Sequence, residues 1–329
     1  MSNARASALG VLPGISAQEA AQVVAGEFSN ALFLPILPER GPGADPVGRT
    51  AGMLSAISSD FSTSVIPSGW QISRMPGIDM QRAHDFLRQD QDAIEEHAQG
   101  FSGQFTCTVV GPLSWCAKVE GASGESLIRD LGAVSEVSLV LAEAVREHLR
   151  AVQRIFPDAQ ITVVLEEPLA AAACEGTIPT ASGLNSYVNI DRARILEFWE
   201  PLITLARNSH SGFGIAMSFD NELFVEPLLK AGANTYFDVA ASSCLGELID
   251  QKCTTYWSIK PELTTRENAL DIAHRITSLG FSLSETAGSL IVVPRQSAVS
   301  RDWGAARSAI AMVREVVDLL NDEDRLLGD

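Results

Sequence analysis

The chain has 329 residues, 46% of them hydrophobic and 20% charged, with a mean hydropathy of +0.11, which is the profile of an ordinary globular protein. A net charge of −17 argues against broad nucleic-acid binding, which needs lysine and arginine against phosphates, and against anionic membranes. No run approaches the roughly eighteen apolar residues of a membrane span, and MSNARASALGVLPG has too short an apolar segment for a secretory signal, so the expected location is the cytoplasm.

Ser7 to Gly14 is a short, mostly apolar run closed by Pro13-Gly14, and predicts a first strand and its turn. Ser16 precedes Glu19 by three, a capping-box spacing, and predicts a helix over Ala17 to Phe28. Ala31 to Leu37 is a second apolar run stopped by Pro38. Pro38 to Asp45 has no helical pattern, and loops of this length are often functional. Asp45 is placed to cap a helix with Pro46 at its first position, running to about Ser58. Val65 to Arg74 reads as an excursion of hairpin type, and Asp79 to about Gln99 as a polar helix.

Gln104 to Val110 predicts a strand, followed by Gly111-Pro112-Leu113-Ser114-Trp115. That turn offers a pocket wall, or a tryptophan packed under a loop. Glu125 to about Phe156 is a long amphipathic pattern interrupted near Gly132. Next comes Ile161-Thr162-Val163-Val164-Leu165, whose β-branched apolar composition suits a strand buried on both faces. It runs directly into Glu166, Glu167 and Pro168. Successive side chains on a strand point to opposite faces, so at most one of the two glutamates points inward. The bland alternative is a solvated acidic loop.

Pro179 to Gly183 is a loop and Asp191 to Asn208 a helix. Strands are expected at Gly212 to Met217, at Thr235 to Val239 with Asp238, at Thr254 to Ile259 running into Lys260-Pro261-Glu262, and at Ser289 to Val293 before Pro294. Helices at Glu222 to Lys230, Cys244 to Gln251, Thr264 to Leu279 and Asp302 to Asn321 alternate with them. Eight candidate core strands, near residues 9, 34, 107, 163, 215, 237, 256 and 291, predict an α/β TIM (β/α)₈ barrel. The expected organisation is one domain over residues 1–329 with an N-terminal elaboration, and the runner-up is a doubly wound open sheet.

In such a barrel the chemistry lies at the carboxyl ends of the strands. Those ends carry Ser114 and Trp115, Glu166 and Glu167, Ser218 and Asp220, Asp238, Lys260 and Glu262, then Arg295 and Gln296. This set is rich in acids and poor in the nitrogen and sulfur ligands that zinc prefers. The five cysteines form no C-x-x-C pair, the five histidines form no H-x-x-x-H or H-x-C pattern, and no nucleotide-binding glycine motif or G-x-S-x-G elbow is present. Carboxylates alone leave magnesium binding and acid–base work both open.

The residues resemble the catalytic C-terminal barrel of the cobalamin-independent methionine synthase family, within the superfamily that also holds uroporphyrinogen decarboxylase, and in particular a shorter actinobacterial-type branch. The resemblance rests on Gly10-Val11-Leu12-Pro13-Gly14 at a G-S-[FW]-P turn and on the loop Leu37 to Asp45 with Gly48-Arg49. It rests also on Gly111-Pro112-Leu113-Ser114 at G-P-x-T, Leu165-Glu166-Glu167-Pro168 at I-D-E-P, and Pro179 to Gly183. It implies methyl transfer from a methylated folate to the homocysteine thiol, with zinc held by an H-x-C strand end, an acid on the next strand and a cysteine on the last. Here the H-x-C strand corresponds to Gly214-Ile215-Ala216-Met217-Ser218, the acid to Asp238, and the last position to Pro294-Arg295-Gln296-Ser297, so three of four ligands are replaced.

The expected protein is therefore a methionine-synthase-like S-methyltransferase relative with a degenerate zinc site and no cofactor. A non-catalytic descendant binding a small ligand, such as an amino acid or a pterin, is the alternative, as is a metal-free lyase or decarboxylase. Glu166 and Asp238 are the candidate catalytic groups. Ser114, Trp115, Glu167 and Arg295 are the candidate substrate contacts, Arg295 as a carboxylate clamp. The expected partner is a small amino-acid-like or folate-like molecule, with neither nucleic acid nor membrane.

Overall fold

The structure is a computed structural model and describes residues 3–209, 211–216, 222–238 and 243–327. Among the described residues eleven strands run as β1 (Arg5–Ala6), β2 (Ala31–Phe33), β3 (Thr63–Ile66), β4 (Gly69–Ile72), β5 (Gln104–Val110), β6 (Val119–Glu120), β7 (Gln160–Glu166), β8 (Gly212–Ala216), β9 (Thr235–Phe237), β10 (Thr254–Ser258) and β11 (Leu290–Val293). Between them lie α1 (Ala17–Glu27), α2 (Pro46–Ile57), α3 (Ile78–His97), α4 (Pro112–Lys118), α5 (Leu131–Ile155), α6 (Ala170–Glu175) and α7 (Arg192–Asn208). They are followed by α8 (Glu222–Lys230), α9 (Leu245–Asp250), α10 (Thr265–Thr277), α11 (Leu283–Thr286), α12 (Gln296–Val299), α13 (Trp303–Leu320) and α14 (Glu323–Leu327).

Eight strands form one sheet in the order β1-β11-β10-β9-β8-β7-β5-β2, and every pair is parallel. All seven residues of β5 and all four of β11 are buried, as a sheet covered by helices on one face and filled on the other requires. The sheet is strongly rolled. Tyr256 on β10 hydrogen-bonds Thr106 (2.9 Å) and Gln104 (3.1 Å) on β5, four strands away in the order. In a flat sheet four strand spacings would hold them about 19 Å apart. Val164, Phe237, Tyr256, Ile291 and Val293 form a compact apolar cluster on this inner face, separate from the larger core under the helices. The edge strands β1 and β2 share no ladder, but just beyond them Val11 and Ile36 form a parallel bridge. Its bonds run from Leu12 N–H to Ile36 C=O (2.9 Å) and from Ile36 N–H to Gly10 C=O (2.8 Å).

The helix starts follow local sequence. Ser16 Oγ accepts from Glu19 N–H at 3.2 Å, and Asp45 Oδ1 accepts from Gly48 N–H at 2.9 Å with Pro46 in the first turn. Thr264 and Glu267 complete a reciprocal capping box on α10. The long amphipathic pattern after Glu125 becomes helix only at Leu131, because Asp130 caps there through Gly132 and Ala133 N–H. The excursion after α2 is a hairpin of β3 and β4, which β6 extends into a three-stranded sheet. Three expectations need correction. The first strand is Arg5–Ala6, ahead of the Ser7 to Gly14 run, Gly111 to Trp115 opens a helix, α4, with Pro112 at its first position, and Pro38–Arg40 forms a 3₁₀ turn inside the expected loop. None of the described helices is long and apolar enough to cross a membrane.

Candidate functional site

Glu166 ends β7, Glu167 follows it, and the two behave as opposites. Glu167 turns away from the inner face and is 0% exposed. Its carboxylate accepts from Leu113 N–H (3.1 Å), Ser114 N–H (2.8 Å) and Trp199 Nε1–H (3.0 Å). The first two are unpaired amides at the start of α4, so Glu167 caps that helix from another strand. Gly111 makes the approach possible, since a Cβ there would lie 2.2 Å from Glu167 Oε1. Ser114 is equally engaged, its Oγ accepting from Leu169 N–H at 3.1 Å. Trp115 is fully buried, donates to Val47 C=O at 3.3 Å and stands edge-on to Phe61. These three predicted contacts come together, as a sealed joint beneath the mouth of the sheet.

Glu166 is half-buried, and its carboxyl makes no hydrogen bond among the described residues. By strand alternation it shares the inner face with Thr162 and Val164. Burial raises its pKa to about 7, partly opposed by the positive charge of Arg49. A carboxyl poised there can take or give a proton at neutral pH. Across the ladder, Val110 pairs with Glu166 and Thr108 with Val164. Thr108 Oγ1 is buried with no hydrogen-bond partner among the described residues, and it lies one layer below Glu166.

Asp238 and Arg295 both line a second region, a cleft of about 600 Å³ at the ends of β9, β10 and β11. Asp238 has a left-handed backbone (φ 48°), and both its oxygens are held by Ser258, from N–H (2.8 Å) and Oγ (3.0 Å). Lys260 Nζ reaches Asp271 at 3.0 Å, and Arg275 Nε reaches the same carboxylate at 3.2 Å. Arg295 is exposed into the cleft and makes no ion pair among the described residues. Beside it Gln296 donates to Val11 C=O at 2.8 Å, tying the last strand end to the first. Ser218, Asp220 and the Met217-Ser218 end of the strand matched to H-x-C lie outside the described residues.

Sequence reasoning did not single out a buried charge cluster behind this mouth. Asp90 on α3 accepts from Arg40 Nη2 at 2.7 Å to each oxygen, and also from Arg49, which donates to Pro35 C=O at 2.7 Å. Gly48-Arg49 was the visible signal, but nothing in spacing connects it to Asp90. Arg295 and its neighbours supply no thiol at the last strand, and Asp238 is already bound by Ser258. Burial pushes Cys107 up to about 12 and Cys116 well up, which keeps them as unreactive thiols. No group of three or more metal-type side chains occurs among the described residues.

The rolled parallel sheet with helices over its outer face and ionisable groups at its carboxyl ends places the chain among the α/β proteins. The sequence matches no protein-family model and no curated protein sequence. In fold it resembles a B12-independent methionine synthase from Shewanella sp. W3-18-1, whose structure is of a complex with selenomethionine. The TM-score is 0.57 at 9% identity, over 98% of this chain and 99% of that one. At this identity the likeness is one of fold.

Proposed function

We propose that the chain is a methionine-synthase-like (β/α)₈ barrel, a relative of the S-methyltransferases, whose mouth binds a small amino-acid-like or folate-like molecule and operates without zinc. The Val11–Ile36 bridge and the Gln296–Val11 bond support closure of the sheet, with the β3–β4–β6 sheet as an elaboration on a single domain. The observation that carries the reading is the pairing of Asp238 and Arg295 in one cleft. There the resemblance would put two zinc ligands, and the chain has instead a carboxylate fixed by Ser258 and an exposed guanidinium. Arg295 suits a ligand carboxylate, through a charge-assisted bidentate contact. Asp238 retains lone pairs for a ligand ammonium.

A second reading, a metal-free lyase or decarboxylase, is favoured by one observation: Glu166 is poised near neutrality with no hydrogen-bond partner among the described residues. In that reading Glu166 moves the proton and Arg295 holds the substrate. Elemental analysis of the purified protein, after incubation with zinc and dialysis, tests the proposal. About one tightly held zinc per chain, with methyl transfer to homocysteine, would overturn it. An empty protein that L-methionine stabilises thermally, with affinity about tenfold weaker in Arg295→Gln, is the expected result.

A further inference from the structure

Helices α2, α3 and α5 leave a cleft of about 220 Å³ between them, lined by none of the residues at the carboxyl ends of the strands. It exists because its walls are small: Gly52, Ala83, Ala144 and Ala151. At Gly52 even a Cβ would come within 2.8 Å of the Ala83 Cβ, so α2 and α3 nearly touch there and diverge beside it. A space of this size takes one ring rather than a drug-sized molecule.

Two polar side chains that line this space are withdrawn from solvent, Gln91 half-buried and His148 buried. His148 on α5 is 7% exposed and lines the cleft. Its Nδ1 lies 3.3 Å from Gln91 Nε2. An amide N–H donating to Nδ1 puts the ring proton on Nε2, which has no partner among the described residues. Burial and the nearby charge of Arg49 lower its pKa to about 4, so the ring is a neutral donor at physiological pH. Nε2 is not among the described atoms that are both sealed and unpartnered, so it is reached from the cleft and can donate to an acceptor bound there.

The rim indicates which acceptor. Arg88 is exposed at the cleft and makes no ion pair among the described residues. Glu147, the rim acid, is paired with Arg150 at 2.5 Å, and His84 lies 3.2 Å from Ser55 Oγ. The uncommitted charge is therefore positive. We propose that this cleft binds a small planar carboxylate, its ring between the small side chains and its carboxylate accepting from His148 Nε2–H and Arg88.

Benzoate is a suitable probe, titrated into the intact chain by calorimetry. Saturable binding is expected in the wild-type protein, unchanged in Arg295→Gln. Ala56→Trp, which fills the cleft from an exposed rim position, should weaken binding at least about tenfold, as should Arg88→Gln, which removes the rim cation. Both positions are exposed, so folding is preserved even if His148→Phe, the direct test of the donor, fails to fold. No binding to the wild type, or binding unaffected by Ala56→Trp and Arg88→Gln, would overturn the proposal. Loss in Arg295→Gln alone would place benzoate at the mouth, overturning this site while favouring the reading of the other.

Discussion

The two sides of the mouth handle charge in opposite ways. On the β5–β7 side, Glu167 is sealed and every donor around it is spoken for: two helix amides and an indole N–H. On the β9–β11 side, Asp238 and Arg295 stand in an open cleft, and Arg295 is uncommitted among the described residues. The adjacent carboxylates Glu166 and Glu167 differ in the same sense, by the face each occupies: Glu167 is buried with three donors, whereas Glu166 is half-buried and makes no hydrogen bond among the described residues.

The largest test of this contrast is Glu167→Ala. It strands three buried donors and should cost about 3 kcal/mol in urea unfolding. A loss below about 1 kcal/mol would mean that water or a neighbour replaces the carboxylate. Glu166→Gln should do the reverse. The folded-state pKa of Glu166 is raised from 4.5 to about 7, so the folded protein holds this proton more tightly than the unfolded chain. The penalty for ionising it is absent below pH 4.5, grows as pH rises, and is complete above about 7. The glutamine variant should therefore gain on the wild type across that window, by on the order of 3 kcal/mol at pH 8. A stability difference that is flat with pH would remove Glu166 from the list of groups that exchange protons near neutrality.

The smallest effect is expected on the open side. Asp238→Asn keeps a residue that tolerates the left-handed backbone and an oxygen for Ser258 N–H, and the serine hydroxyl can turn to accept. Stability should change by no more than about 0.5 kcal/mol, while affinity for a cationic amino group falls. A large stability loss at Asp238 would erase the distinction between the two sides.

Much of the fold was readable from local pattern. Gln104–Val110 and the Ile161–Leu165 core stood out because strands buried on both faces are continuous apolar runs, and Ser16, Asp45 and Pro46 marked helix starts by capping chemistry. The first strand was placed too late. Its ladder is only Arg5–Ala6, and Leu9 instead packs on the inner apolar cluster. Glu166 was legible as a candidate from its place at a strand end. The commitment of Glu167 to α4 was not, because it depends on a helix start 53 residues away in sequence and on Trp199. The Arg40–Asp90–Arg49 cluster and the His148 donor were invisible for the same reason. Each joins helices whose separation in sequence says nothing about their contact.

The pairing of β1 with β11 has a consequence for how the protein is made. Arg5 and Ala6 find their ladder partners only at Ile291 and Val292, and Ala4 exchanges two hydrogen bonds with Asn321. At ordinary rates of synthesis, roughly 15 to 60 s separate the emergence of the first strand from that of its partner. Throughout that interval β11 is missing, so β1 and β10 each lack the strand they pair with, and an unpaired strand edge invites pairing with other chains. A ribosome that stalls before residue 290 therefore leaves the nascent chain at its most vulnerable, with nearly all of its core residues made and its seam still unsewn.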